Sequence, residues 1–107
     1  MEIKYFAKNF QLTPQIEDYI DKKINKFLRL SKRILRARVE LDFDPQFRDN
    51  KNFKVEIKLE VPGKDLCAVC QAKDLPLALD GVEKKMRAQL TDYKEKFIQK
   101  RRIKKEI

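Results

Sequence analysis

The sequence predicts an α+β fold: a β-α-β-β-β-α two-layer sandwich, with a four-stranded mixed sheet and both helices packed on one face. Three observations predict it. Two segments, Arg36 to Asp44 and Phe53 to Val61, alternate apolar and polar residues with period two, as strands with one buried face do. Two others repeat apolar residues at steps of three and four, as helices with one buried stripe do. The punctuation, Thr13-Pro14, Pro45, Pro62-Gly63 and Asp74-Leu75-Pro76, falls between those periodic segments. The chain has 107 residues, 42% of them hydrophobic, which suits a single domain spanning 1–107 with a modest core.

Residues 1–8 read as the first strand, with Ile3, Tyr5 and Ala7 alternating with Glu2, Lys4 and Lys8. Phe6 breaks the pattern, so a neighbour covers it or it marks a contact surface. Thr13 is a good N-cap and Pro14 suits the first helical position, where its missing N–H costs nothing. Ile16, Ile20, Ile24 and Phe27 form this helix's buried stripe, and the helix should end between Leu30 and Arg33. In the second strand Ala37, Val39, Leu41 and Phe43 face inward, and in the third Phe53, Val55, Ile57, Leu59 and Val61 do. Pro62-Gly63-Lys64-Asp65 is a tight turn, and Leu66 to Lys73 a shorter strand with Leu66, Ala68, Cys70 and Ala72 inward. These small residues would let the last helix approach closely. That helix begins after Asp74 and runs to about residue 102. Its stripe is Leu75, Leu79, Val82, Met86, Leu90, Tyr93 and Phe97, within roughly 40° of one line after Leu75. The last three strands form an antiparallel meander, and the first helix makes a parallel crossover between strands one and two.

The net charge of +9 is unevenly placed. Residues 13–36 carry +4 and residues 80–107 carry +5, while 37–79 carry −1. The excess therefore sits on the two helical segments. Lys22, Lys23, Lys26 and Arg29 lie off the first stripe, and Lys84, Lys85, Arg87, Lys94 and Lys96 off the second. Lys-rich helix backs are commonly just solvated. Two adjacent helices carrying the excess favour a polyanion, most often nucleic acid, bound chiefly through phosphates. No base-reading motif is visible, so a folded RNA fits better than a base sequence. A basic tail follows at about 98–107.

Other chemistry is limited. The chain has no His, and Ser31 is its only Ser, so Ser–His and Cys–His nucleophile systems are excluded. Gly63 and Gly81 are isolated and make no phosphate loop. Cys67 and Cys70 have C-x-x-C spacing, but on a strand the two thiols point to opposite faces, and further zinc ligands are lacking. Glu40, Asp42 and Asp44 share a strand face; they are either a cation or nuclease site or a solvated row paired with Lys54 and Lys58. Tyr93 and Phe97 could stack on bases, although their spacing suits the core. No apolar run is long enough to span a bilayer and the amino terminus lacks a signal-peptide core. The expectations are a cytoplasmic, non-enzymatic protein with no membrane partner, no small-molecule substrate, no cofactor and no metal.

Two segments resemble the short ribosome hibernation promoting factor and ribosome-associated inhibitor family. One is Leu12-Thr13-Pro14 through Lys23-x-x-Lys26-Phe27. The more specific one is Asp74-Leu75, Ala78-Leu79-Asp80, Lys85-Met86, Gln89-Leu90 and Tyr93-Lys94-Glu95-Lys96. The resemblance covers nearly the full length. It implies a stress or stationary-phase factor that occupies the decoding channel of the small ribosomal subunit, contacts its RNA and inhibits translation, as a monomer off the ribosome. It implies RNA contacts for Lys23, Lys26, Lys85, Gln89, Lys94 and Lys96; Lys22, Arg29, Lys84 and Arg87 come from the face analysis alone. The sequence departs from the family pattern at Ala88 and Asp92, where a base is common. Ending at Ile107, the chain is expected to lack the carboxy-terminal domain of the long form and its ribosome pairing. A double-stranded-RNA-binding module of similar topology is the runner-up, and a metal-dependent nuclease comes after it.

Overall fold

Strand alternation and helix periodicity give the expected element order. The computed structural model describes residues 2–106, with side chains described through Lys96. The elements are β1 (Glu2–Lys8), α1 (Pro14–Leu30), β2 (Arg36–Phe43), a 3-10 turn (Arg48–Asn50), β3 (Phe53–Val61), β4 (Lys64–Ala72) and α2 (Leu75–Glu106). The sheet order is β1-β2-β3-β4. β1 runs parallel to β2, and β2, β3 and β4 are antiparallel. The fold is the expected two-layer α+β sandwich.

Each helix starts where a side chain takes up a free N–H. Thr13 Oγ1 accepts from Ile16 N (3.3 Å) at α1, and Asp74 Oδ1 accepts from Leu77 N (2.8 Å) at α2. The core lies between the layers. Ile20, Ile24 and Phe27 of α1 meet Val39 and Leu41 of β2 and Ile57 and Leu59 of β3, with Leu79, Val82, Met86 and Leu90 of α2. Burial of that many large side chains, each contributing about 1.5–3 kcal/mol, is what holds the two layers together. Tyr5 of β1 donates to Asp21 of α1, which ties the first strand under the first helix.

Two expectations need correction. The β3–β4 turn is two residues shorter: Val61 pairs with Lys64, so only Pro62 and Gly63 turn, with Gly63 at φ +87°. Pro followed by a Gly at positive φ is the pattern of a type II turn, and it starts β4 at Lys64 rather than Leu66. α2 continues to Glu106 instead of stopping near 102. Cys70 faces inward as expected and is half-buried against the core. Phe97, expected in the stripe, and the basic tail at about 98–107 lie outside the residues whose side chains are described.

Candidate nucleic-acid interface

The expected cations divide into two groups once their surroundings are known. Lys22, Lys26 and Arg29 on α1 and Lys84 and Lys94 on α2 are exposed. None of the five has an ion-pair or hydrogen-bond partner among the described residues.

The others are already engaged. Lys23 leaves α1 toward α2, where its ammonium donates to Asp80 Oδ1 (2.8 Å) and Glu83 Oε2 (2.7 Å). Its side chain is only 11% exposed, and Glu83 is buried. Burial pulls the Lys23 ammonium toward the neutral form, but the bonds to Asp80 and Glu83 outweigh it and hold the pKa above the usual lysine value. The same bond from Lys23 lowers the Asp80 carboxyl below its usual range. Arg87 Nη2 donates to the other Glu83 oxygen (2.8 Å). Lys96 pairs with Asp92 at 3.1 Å, one turn away.

Lys85 and Gln89 serve the free edge of β4. Lys85 Nζ donates to Val69 O (2.8 Å) and Gln89 Nε2 to Cys67 O (2.6 Å). One turn further along α2, Tyr93 donates to Pro62 O (3.0 Å). These residues stand four apart on one helix flank; Lys85 and Gln89 satisfy carbonyls that the edge strand would otherwise present to solvent, and Tyr93 satisfies one in the β3–β4 turn. Tyr93 packs against the core, as its spacing suggested.

Periodicity shows which side of a helix a residue occupies, not what stands beside it. The interhelical bridge had only a weak trace in the sequence: Asp80 and Glu83 are acids three apart on a helix with a basic excess, a spacing that Asp92 and Glu95 share. The carbonyl partners of Lys85 and Gln89 had none, because backbone acceptors carry no residue identity.

The close seating of α2 rests on Gly81. A Cβ there would stand 2.3 Å from Cys70 Sγ. Cys70 thus faces α2, whereas Cys67 is exposed on the other side of the sheet, where its thiol donates to Glu56 Oε1 (3.1 Å). Both cysteines are free. Burial, then the Glu56 bond, pushes the Cys67 thiol above its ordinary pKa.

The bare face of the sheet is a mixed-charge surface. Arg38 pairs with Glu40 (2.9 Å) and Lys58 with Asp65 (3.4 Å). The expected row of Glu40 and Asp42 against Lys54 and Lys58 is only partly realised. Asp42 faces Lys54 in register, but Glu40 faces Glu56, and Lys58 faces Arg38. Asp44 instead closes the β2–β3 connection, accepting from Gln46 N at Oδ1 (3.0 Å). Among the described residues no three His, Cys, Asp or Glu side chains gather as a metal site would need. Phe6 is 44% exposed, and the Arg38 guanidinium lies 4.3 Å from its ring centre. No helix is long and apolar enough to cross a membrane, among the described residues.

Residues 3–98 match the family model described as sigma 54 modulation protein / S30EA ribosomal protein. The chain belongs to this family. It is 25% identical over 95 residues to a ribosome hibernation promotion factor of Deinococcus radiodurans, covering 89% of this chain but 50% of that protein. The chain therefore spans about half the length of that relative. A ribosome hibernation promoting factor of Klebsiella oxytoca is 25% identical over 99 residues, covering 92% of this chain and 99% of that one. Among solved structures, the N-terminal domain of Thermus thermophilus Protein Y aligns with a TM-score of 0.74 and 26% identity, covering 87% of this chain and 99% of that one. A ribosomal subunit interface protein from Coxiella burnetii aligns with a TM-score of 0.78 at 18% identity, over 89% of this chain and 99% of that one, a likeness of fold.

Proposed function

We propose that the chain is a cytoplasmic ribosome hibernation factor. It binds RNA of the small ribosomal subunit in the decoding channel and inhibits translation under stress or in stationary phase, and it catalyses no reaction. The observation that carries the reading is the set of exposed cations Lys22, Lys26 and Arg29 on α1 and Lys84 and Lys94 on α2, which have no ion-pair partner among the described residues. Family membership and the names of the relatives support the same reading. Lysines held on rigid helices neutralise phosphates without reading bases, so shape and charge would select the site. Lys23, Lys85, Gln89, Arg87 and Lys96 support this surface by fixing α2 or balancing its acids, and they reach RNA only by exchanging their present partners. One copy carries both helices, so the form that binds is the monomer.

Sedimentation with isolated small subunits, large subunits and whole ribosomes tests the proposal. Co-sedimentation with the small subunit is expected, with affinity falling steeply as salt rises from about 50 to 200 mM. Binding confined to the large subunit, or indifferent to salt, would overturn it.

A further inference from the structure

The two edges of the sheet are treated differently. Lys85 and Gln89 bond two backbone carbonyls of β4, those of Val69 and Cys67. Among the described residues no side chain bonds the free backbone edge of β1. An open strand edge is a template for another strand. We propose that it takes β1 of a second copy of this chain, antiparallel and centred on Tyr5.

Register, length and charge select that arrangement. In an antiparallel ladder, paired residues share a face, so a two-fold pairing must centre on a single residue. Centring on Lys4 sets Lys4 against its own copy and leaves Lys8 without a partner in β1. Centring on Phe6 sets Lys4 against Lys8 and leaves Glu2 without one. Centring on Tyr5 pairs every residue from Glu2 to Lys8, and its charges match. Glu2 meets Lys8 of the copy, Lys4 meets Phe6, and both contacts occur twice.

Lysines on an edge strand ordinarily repel a second edge. Here Lys8 meets a carboxylate, and Lys4 meets a ring that is 44% exposed. On the helix side Ile3 meets Ala7, and Tyr5 meets its own copy. The product is one continuous sheet running β4-β3-β2-β1-β1-β2-β3-β4. Its outer edges are both β4, each with bonded carbonyls, so the assembly closes at two copies and does not grow into a fibre. Pairing of one short strand makes a small interface, so association is weak. Dilute protein is then the monomer expected from the sequence, and concentrated protein pairs.

Analytical ultracentrifugation of the full chain, from about 10 µM to about 1 mM, reads the pairing directly. The average mass should rise from 12.8 kDa toward twice that value. E2K and K8E alter exposed positions, and circular dichroism should show both folded. Each alone sets like charges opposite one another and should weaken association about tenfold. An equimolar mixture of the two variants should pair again, as should the double variant E2K/K8E. A mass that stays at the monomer value throughout overturns the proposal. So does a dimer that neither single variant weakens, or single-variant losses that the mixture does not restore.

Discussion

Gly81 and Cys70 are in contact across the two layers: a Cβ on Gly81 would lie 2.3 Å from Cys70 Sγ and 3.4 Å from Cys70 Cβ. The first distance requires movement, and the second is ordinary contact. Gly81→Ala should therefore destabilise the protein by about 1–3 kcal/mol through overpacking, despite the better helix propensity of Ala. In a Cys70→Ala background the sulfur is gone. The same Gly81→Ala change should then be neutral or stabilising by up to about 1 kcal/mol. Urea unfolding of the wild type, the two single variants and the double variant measures this change of sign.

Lys23 holds two helices through two carboxylates, and their titration sets where the bridge operates. The lowered Asp80 pKa means its contribution is present above the ordinary value of 3.8 and lost as pH falls below it. The raised Lys23 pKa means its contribution is complete below the ordinary value of 10.5 and lost as pH rises beyond it. Stability against pH should thus lose this coupling only at the two extremes, and Asp80→Asn should flatten the acid limb. Lys23→Met leaves Glu83 with Arg87 alone and should cost about 1–3 kcal/mol near neutrality. Denaturant melts carried well below 3.8 on the acid side and above 10.5 on the basic side would show the two limbs, and those near neutrality the Lys23→Met loss.

Charge reversal separates RNA contact from structural support. Lys22→Glu/Lys26→Glu and Lys84→Glu/Lys94→Glu change only unpaired, exposed positions. Both variants should keep their melting temperature and lose small-subunit binding and inhibition of cell-free translation. Each phosphate contact removed should lower the slope of log affinity against log salt by about 0.7–0.9. Lys85→Glu would set a carboxylate against the Val69 carbonyl, so it should also lower stability. Lys54→Glu/Lys58→Glu, on the bare sheet face, should leave binding largely intact; if that variant alone is inactive, the surface has been assigned to the wrong side.

Cys67 is exposed but has a raised pKa, so little of it is thiolate at neutral pH. Its alkylation rate should keep climbing past pH 9. Glu56→Gln removes the carboxylate that accepts its proton and should move that profile to lower pH. Cys70, under Gly81, should label more slowly than Cys67 at every pH. Mass spectrometry of the native protein should find no bridge between the two thiols, since they lie on opposite faces of β4.

The fold could be read because it depends on periods. Val39, Leu41, Val55, Ile57 and Leu59 alternate in sequence and all point into one core. The helix stripes likewise appear at Ile20, Ile24, Val82 and Met86. The site was less legible, because a lysine off the stripe has the same spacing whether it faces solvent, a neighbouring helix or a strand edge. Lys22 and Lys23 are adjacent in sequence and opposite in circumstance: one is unpaired and exposed, the other bonded to two acids. The β3–β4 turn escaped for a similar reason. Pro62-Gly63 announced a turn, but only the pairing of Val61 with Lys64 fixed its length.

The Lys23 bridge also bears on the thermodynamics of any encounter with a polyanion. Because Asp80 and Glu83 hold α1 and α2 at a set spacing, the unpaired lysines of both helices reach a ligand already arrayed. Association then loses the rotameric freedom of those side chains but not the freedom of one helix relative to the other. Severing the bridge should weaken binding mainly through entropy, leaving the binding enthalpy of the untouched lysines nearly unchanged.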